Sequence, residues 1–434
     1  MDAADVLVLG AGVAGLAAAE RLTAAGRQVL ILEAGDRIGG RIHTVDDPGL
    51  EYPVELGAEF VHGRPAELLE LIRGSGLDLE AVPERHGRGP GHHPTPLDDP
   101  RTRLARLLQA AGGPLPDRPV ADLLRELRAK LGPGVLDPIV GYLEGFHAAD
   151  LRRLGTRALA ENEAAEDEDG EDLHRVRAGY GALIRALAGR LDPGLAEIRL
   201  GVAATSVRWR PGEARVSLRA EGGQVETIAA PQVVLALPLA PLKRGPGEPG
   251  AVAIDPPPPG WASWLATLHT GAAHRIVLGF DARWWVRNGE AAPSFVHGTG
   301  EPIPVWWNAL PSPVPLLTGW VGGPRAAALA GRGEDAILRT ALDSLASIFG
   351  RDPAELRSRL RLAYFHDWVA DPLAGGAYSY GGVGAIEARA ALVRPVAGTL
   401  FLAGEAVAQA GKNATVQGAL ASGRAAAAAL LAQP

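Results

Sequence analysis

Three glycines near the start of the chain have the spacing to hold a phosphate. Gly10-Ala11-Gly12-Val13-Ala14-Gly15 is a G-x-G-x-x-G turn. In such a turn Gly10 makes the tight bend, Gly12 lets backbone approach a pyrophosphate, and Gly15 lets helix and strand pack closely. Glu33 follows, and its carboxylate can accept both hydroxyl protons of a ribose. The turn follows the apolar run Val6-Leu7-Val8-Leu9 and opens a helical pattern over 12–25, which Gly26 stops. Residues 28–33 read as a second strand. This strand–helix–strand unit aims unsatisfied N–H groups and a positive dipole end at a dinucleotide. NAD and FAD share the turn, so it does not choose between them.

Other chemistry is excluded or unsupported. The chain has no cysteine, which removes disulfides, thiolate metal sites, catalytic thiols and a cysteinyl flavin bond. His86, His92 and His93 sit among Gly and Pro with no carboxylate at ligand spacing, so the stretch 86–100 reads as a mobile loop. A net charge of −7 argues against a nucleic-acid surface. No uncharged apolar run reaches the ~18 residues of a membrane helix, and no basic leader precedes the first strand. A cytoplasmic enzyme without a membrane partner is expected.

The elements that would position these residues need two or three domain-sized units over 434 residues. Residues 65–157 read as mostly helical. A helix is expected over 182–191, with strands over 202–209, 214–220 and 232–237. The alternation Arg215-Val216-Ser217-Leu218-Arg219 supports a half-buried strand. Residues 245–260 form a Pro/Gly crossover and a boundary. Strands over 275–280 and 315–320, helices over 326–349, a strand over 399–403 and a helix from Val416 complete the pattern. The Pro-rich segment 293–315 reads as an ordered loop because it carries Trp306 and Trp307.

Segments along most of the chain resemble the flavin-containing amine oxidases. Glu33-Ala34-Gly35-Asp36-Arg37-Ile38-Gly39-Gly40-Arg41 is similar to the family's extended dinucleotide motif. Glu55-Leu56-Gly57-Ala58-Glu59-Phe60-Val61-His62-Gly63 looks like the segment that reaches the flavin ring, and Gly179-Tyr180-Gly181 like a later glycine turn. Trp368 with Asp371-Pro372, followed by Gly376-Ala377-Tyr378-Ser379-Tyr380, resembles the substrate-cavity wall of polyamine oxidases and lysine-specific histone demethylases. Ala403-Gly404-Glu405 and Ala414-Thr415-Val416-Gln417-Gly418 resemble the closing flavin motif.

The resemblance implies an α/β, two-domain flavoprotein. A Rossmann-like FAD-binding domain (1–64, 173–255, 375–434) would interleave with an α+β substrate domain (65–172, 256–374). It implies non-covalent FAD, since Ala377 stands where monoamine oxidases carry a flavin-linked Cys. Gly39 and Gly40 would pass beneath the cofactor and Arg41 would neutralise its phosphates. Gly57, Ala58, Val202 and Gly404 join the cofactor contacts. Glu405 would bind ribityl hydroxyls, and the helix from Val416 would face the pyrimidine side of the flavin.

Tyr378 matches an aromatic cage residue, and Thr415 stands where monoamine oxidases have a second Tyr, which points to the polyamine-oxidase branch. His62 would orient or deprotonate the substrate amine. Trp368 would line the cavity. Arg275 replaces the Lys that usually holds a water at flavin N5, and it cannot simply stand in for it. The implied reaction is oxidation of a primary or secondary amine with oxygen as acceptor. The alternatives are a flavin dehydrogenase or desaturase, and a non-catalytic FAD-binding module. The acidic stretch 161–172 reads as a solvated surface loop, with a polyamine-attracting funnel as the alternative.

Overall fold

A computed structural model of the chain describes residues 4–88, 100–110, 116–131, 133–170, 172–220, 222–286, 293–298 and 300–433. The apolar runs Val6–Leu9 and Val29–Leu32 are buried at every residue, as strands covered on both faces must be. They belong to a parallel five-stranded sheet in the order Leu400–Leu402, Gln232–Leu235, Val6–Leu9, Val29–Leu32, Ala196–Arg199. Its strands come from the beginning, middle and end of the chain. The helix Val13–Ala24 follows the first strand, and the terminal helix Val416–Leu431 lies against it. The two backbones meet so closely that a Cβ on Gly423 would collide with Ala14 O at 2.1 Å.

A second sheet runs Val225–Ala230, Glu213–Ala220, Val202–Arg210, Ala253–Asp255. The alternation expected within it is present: Ala214, Val216 and Leu218 are buried. The crossover 245–260 is not wholly irregular, because Ala253–Asp255 pairs with Val202–Arg210 as an edge strand.

The third sheet has six strands, in the order Leu360–Phe365, Ala273–Phe280, Leu316–Gly322, Val305–Asn308, Phe295–His297, His86–Arg88. Ala273–Phe280 is buried throughout, yet its two faces differ, as the period of two requires. Ile276, Leu278 and Phe280 pack into a core with the helix Glu334–Phe349, whereas Val277 joins Val54 and Leu56 on the opposite side. Arg275 shares the face of Val277. A small sheet, Phe60–His62, Leu173–Val176 and Leu79–Ala81, completes the frame of the site.

Three sequence expectations change. The acidic stretch is no surface loop: Thr156–Asp169 is a helix, built from good helix formers with Ala158, Leu159 and Ala165 turned inward. Residues 293–315 contain the strands Phe295–His297 and Val305–Asn308. His86 begins a strand parallel to Phe295–His297, and its ring stacks on Phe295 with centroids 5.0 Å apart. His92 and His93 lie outside the described residues. Among the described residues, no cluster of three or more His, Asp or Glu could hold a metal, and no helix is long and apolar enough to cross a membrane.

Candidate active site

One continuous cavity of about 1700 Å³ runs from the glycine turn to the aromatic face of the six-stranded sheet. A single small-ligand pocket occupies roughly 300–1,000 Å³, so this one has room for two molecules end to end.

At the dinucleotide end, Gly10 has φ +101°, and a Cβ there would press on Ala236 O at 2.6 Å. A Cβ on Gly15 would lie 1.9 Å from Gly10 O. Gly12 is different: its Cβ would meet nothing nearer than Gly39 O at 3.9 Å. The absence of a side chain at Gly12 therefore serves something that enters the cavity, whereas at Gly15 it serves packing. Glu33 is fixed by Ala11 N and Gly35 N, each 2.8 Å from one carboxylate oxygen. Its remaining lone pairs face the cavity. Gly39 and Gly40 take φ +106° and +58°, and Arg37, missed in the sequence, ties their loop by donating to Gly40 O and Ile42 O at 2.8 Å.

Midway, Arg41 does not stand free for a phosphate. It forms an ion pair with Glu405 at 2.6 Å and donates to Ala377 O at 3.0 Å. Glu405 also accepts from Ser379 Oγ and Ala414 N. Burial pushes the Glu405 carboxyl up, but the charge of Arg41 and these hydrogen bonds outweigh it and hold it below the usual range. Thr415 lines the cavity, yet its hydroxyl is committed: it donates to Lys412 O at 2.7 Å and caps the terminal helix by accepting from Gly418 N. The N–H groups of Val416 and Gln417 precede the first intrahelical bond and have no acceptor within the helix. Asn413 Oδ1, buried on the same wall, has no hydrogen-bond partner. Gly57, Ala58 and Gly404 line this part. Val202 does not: it packs into the core of the second sheet, and its neighbours Ala203 and Ala204 form the wall.

At the far end the strand Phe60–His62 buries Val61 completely and turns Phe60 and His62 to the cavity. His62 is exposed, and the space it is exposed to is the cavity, whose walls surround the ring. Burial, aided by the Arg101 charge, lowers its pKa to about 4. Its ring meets Phe146 edge-on at 5.9 Å. Tyr378 stacks parallel to Trp320, with centroids 6.4 Å apart, and its hydroxyl donates to Phe146 O at 2.5 Å. Burial pushes that phenol well up. Trp368 donates to Leu56 O at 2.8 Å and is walled by His366. Arg275 donates to Gly57 O at 2.8 Å, pairs with Glu59 and lies over the Trp307 ring. Burial lowers its pKa to about 10, so it stays cationic at neutral pH.

Among its described side chains, the acidic helix contributes one buried carboxylate, Glu163, held by His147 at 2.8 Å and by Arg101. Glu166 reaches the cavity wall and also pairs with Arg101. The sequence reading missed Glu59, Arg101, Arg175, Trp307 and Trp320 as site residues. Glu59 stood inside a quoted motif, but its partners are distant in sequence and nothing local marked them.

The family profile described as flavin containing amine oxidoreductase matches residues 13–431. The chain belongs to this family. Among relatives, it is 29% identical to polyamine oxidase 1 of Oryza sativa subsp. japonica, over 87% of this chain and 85% of that protein. It is 27% identical to lysine-specific histone demethylase 1B of Mus musculus, over 93% of this chain and 50% of the relative. Among solved structures, putrescine oxidase bound to putrescine superposes with a TM-score of 0.79 at 22% identity, covering 99% of both chains. Cyclohexylamine oxidase from Brevibacterium oxydans IH-35A gives 0.78 at 20% identity, covering 99% of this chain and 98% of that one. This flavin amine oxidoreductase thus has the family's two-domain flavoprotein fold and is an FAD-dependent enzyme acting on amines. The open face of Gly12, the fixed Glu33, the orphaned Asn413 oxygen and the uncapped N–H groups at Val416 all suit FAD.

Proposed function

We propose that this enzyme oxidises a primary or secondary amine to the imine by hydride transfer to flavin N5, with oxygen as the final acceptor. FAD supplies the two-electron sink; the imine hydrolyses in water and oxygen is reduced to hydrogen peroxide. The single observation that supports this reading best is the continuity of the cavity from Gly12 and Glu33 to His62 and Tyr378. Gly12 and Glu33 would hold a dinucleotide at one end, and its reactive ring would then face the aromatic-walled space at the other.

Hydride leaves only from a neutral amine, since an ammonium has no lone pair to stabilise the developing cation. A free alkylamine has a pKa near ~10.4, and desolvation by Tyr378, Trp320, Phe146 and Trp368 favours the neutral form. His62 meets the same environment and is neutral above about pH 4. A base that weak would take a proton from an alkylammonium of ordinary pKa at a cost of roughly 9 kcal/mol. We therefore assign His62 to orienting the amine rather than deprotonating it. Arg101 is offset on that side by Glu163 and Glu166, so desolvation is what disfavours an ammonium there.

The test is anaerobic stopped-flow mixing with a panel of mono-, di- and polyamines. Loss of oxidised-flavin absorbance with at least one amine, followed by peroxide release on admitting oxygen, is expected. A flavin that no amine bleaches would overturn the reading in favour of a binding module.

One observation supports a second reading, a dehydrogenase using another acceptor. Arg275, where the family usually carries Lys, is bound into the protein by Glu59 and Gly57. On this reading reduction by amine is fast and reoxidation by oxygen slow. Arg275→Lys then raises the oxygen rate constant tenfold or more and the reduction rate constant less, a barrier change of ~1.4 kcal/mol. Equal oxygen reactivity in the two proteins would remove this reading.

A further inference from the structure

This inference rests on the reading of the cavity as a flavin site for amine oxidation. Glu59 has a side chain only 8% exposed, and three donors reach its carboxylate. Arg175 Nε lies at 2.5 Å, Trp307 Nε1 at 3.0 Å, and the Arg275 guanidinium completes the set. Two buried cations thus share one anion. Arg175 is committed within the protein: its other nitrogens donate to Leu310 O at 2.7 Å and Asn308 O at 3.1 Å, and it lies over the Phe60 ring. Arg275 is less fully used. One terminal nitrogen donates to Gly57 O, and its Nε is buried without a hydrogen-bond partner. It lies on the cavity wall beside Gly57 and Ala58.

We infer that Glu59 is a positioning residue that clamps the Arg275 guanidinium over Trp307 and offsets its charge, so setting how readily the flavin accepts electrons. Of Glu59, Arg175 and Arg275, Arg275 and Glu59 line the cavity and Arg175 does not, so the charge that acts on a neighbouring ring at short range is that of Arg275 as Glu59 offsets it. A positive charge beside the flavin favours its reduced, more negative state. Removing the charge of Glu59 leaves Arg275 unopposed and draws electrons more strongly. Removing the charge of Arg275 does the reverse.

The experiment equilibrates the FAD-loaded enzyme with a reference dye of known potential, without any amine. It reads the flavin directly and does not depend on finding a substrate. Glu59→Gln keeps the shape and an acceptor oxygen. It is expected to shift the equilibrium at least tenfold toward reduced flavin, about 30 mV for a two-electron couple. Arg275→Gln is expected to shift it tenfold the other way. In the Arg275→Gln background, Glu59→Gln is expected to change it less than threefold. An equilibrium within twofold of the parent in Glu59→Gln, or an undiminished shift in the double variant, overturns the inference. Should Glu59→Gln alone fail to hold FAD with Arg175 unpaired, Glu59→Gln with Arg175→Gln removes both partners. A shift of at least threefold toward reduced flavin is then expected, and no shift overturns the inference. If that variant also lacks FAD, Arg275→Gln decides alone, and an unmoved equilibrium overturns it. A parent protein that binds no FAD would instead sink the functional reading itself.

Discussion

Arg41 and Glu405 stand 364 positions apart in the chain and meet as an ion pair of 2.6 Å on the cavity wall. The pair joins the loop after the second strand of the parallel sheet to the turn after the last one. Ser379 Oγ and Ala414 N bind the other carboxylate oxygen. Glu405→Gln removes the charge and leaves Arg41 without its counter-ion. Breaking a buried pair costs about 3–5 kcal/mol, and the lower end applies here because the Arg41 side chain is 24% exposed. A loss of about 3 kcal/mol in denaturant unfolding is expected, with FAD affinity reduced at least tenfold in titrations of the apoprotein. An unchanged FAD affinity would assign the pair to the fold alone.

Gly12 and Gly15 separate cofactor binding from folding. A side chain at Gly12 meets open cavity, so Gly12→Val is expected to fold with native circular dichroism yet purify colourless. A side chain at Gly15 collides with Gly10 O, so Gly15→Ala is expected to misfold or to unfold at much lower denaturant. A yellow Gly12→Val protein would show that the pyrophosphate does not pass there.

His62→Ala is expected to slow anaerobic flavin reduction by about 10–100-fold, the order expected when a reacting group loses its alignment. The rate should rise with pH as the amine loses its proton. Because His62 is neutral above about pH 4, that rising limb is expected to stay in place in the variant between pH 6 and 10. A displaced limb would show that His62 carries the proton after all.

Stability should fall in mild acid for a specific reason. Burial lowers the pKa of His43, His62, His269 and His297 to about 4. Each prefers to be neutral when folded, so its contribution is full above the unfolded value of ~6.5 and is lost as pH falls from there toward 4. Glu55 and Glu144, whose carboxyls burial pushes up, hold protons in the folded state and offset part of this. Unfolding near pH 5 is therefore expected to take up roughly two to four protons. The slope of unfolding free energy against pH between 4 and 6.5 measures that number, and a flat slope would contradict the burial of these rings.

The local parts of the site were legible along the chain. Gly10, Gly12, Gly15 and Glu33 belong to one strand–helix–strand unit whose geometry is set by neighbours a few residues away. The inward turn of Val61 and the turn of His62 to the cavity follow from strand period once residues 60–62 pair as a strand, which the sequence reading did not assign. Where the reading failed, the deciding contact was not local. The charges of 161–172 suggested a solvated loop because charge says nothing of which carboxylate a helical period carries inward, and that residue proved to be Glu163. Val202 was placed at the cofactor one or two residues early, and the strand's register puts Ala203 and Ala204 on the wall instead.

By itself, then, the sequence determined the dinucleotide turn, the buried parallel strands, the absence of a thiol link to FAD and the family of the chain. These depend on short-range sterics, on hydrophobic period and on residue type, all of which are written consecutively. The tertiary structure alone decided that Arg41 is spent on Glu405 and that Arg275 and Arg175 share Glu59. Such pairings join segments more than a hundred residues apart. They exist only because folding removes water from both partners and leaves each buried charge to find its counter-charge wherever the packed sheets bring one.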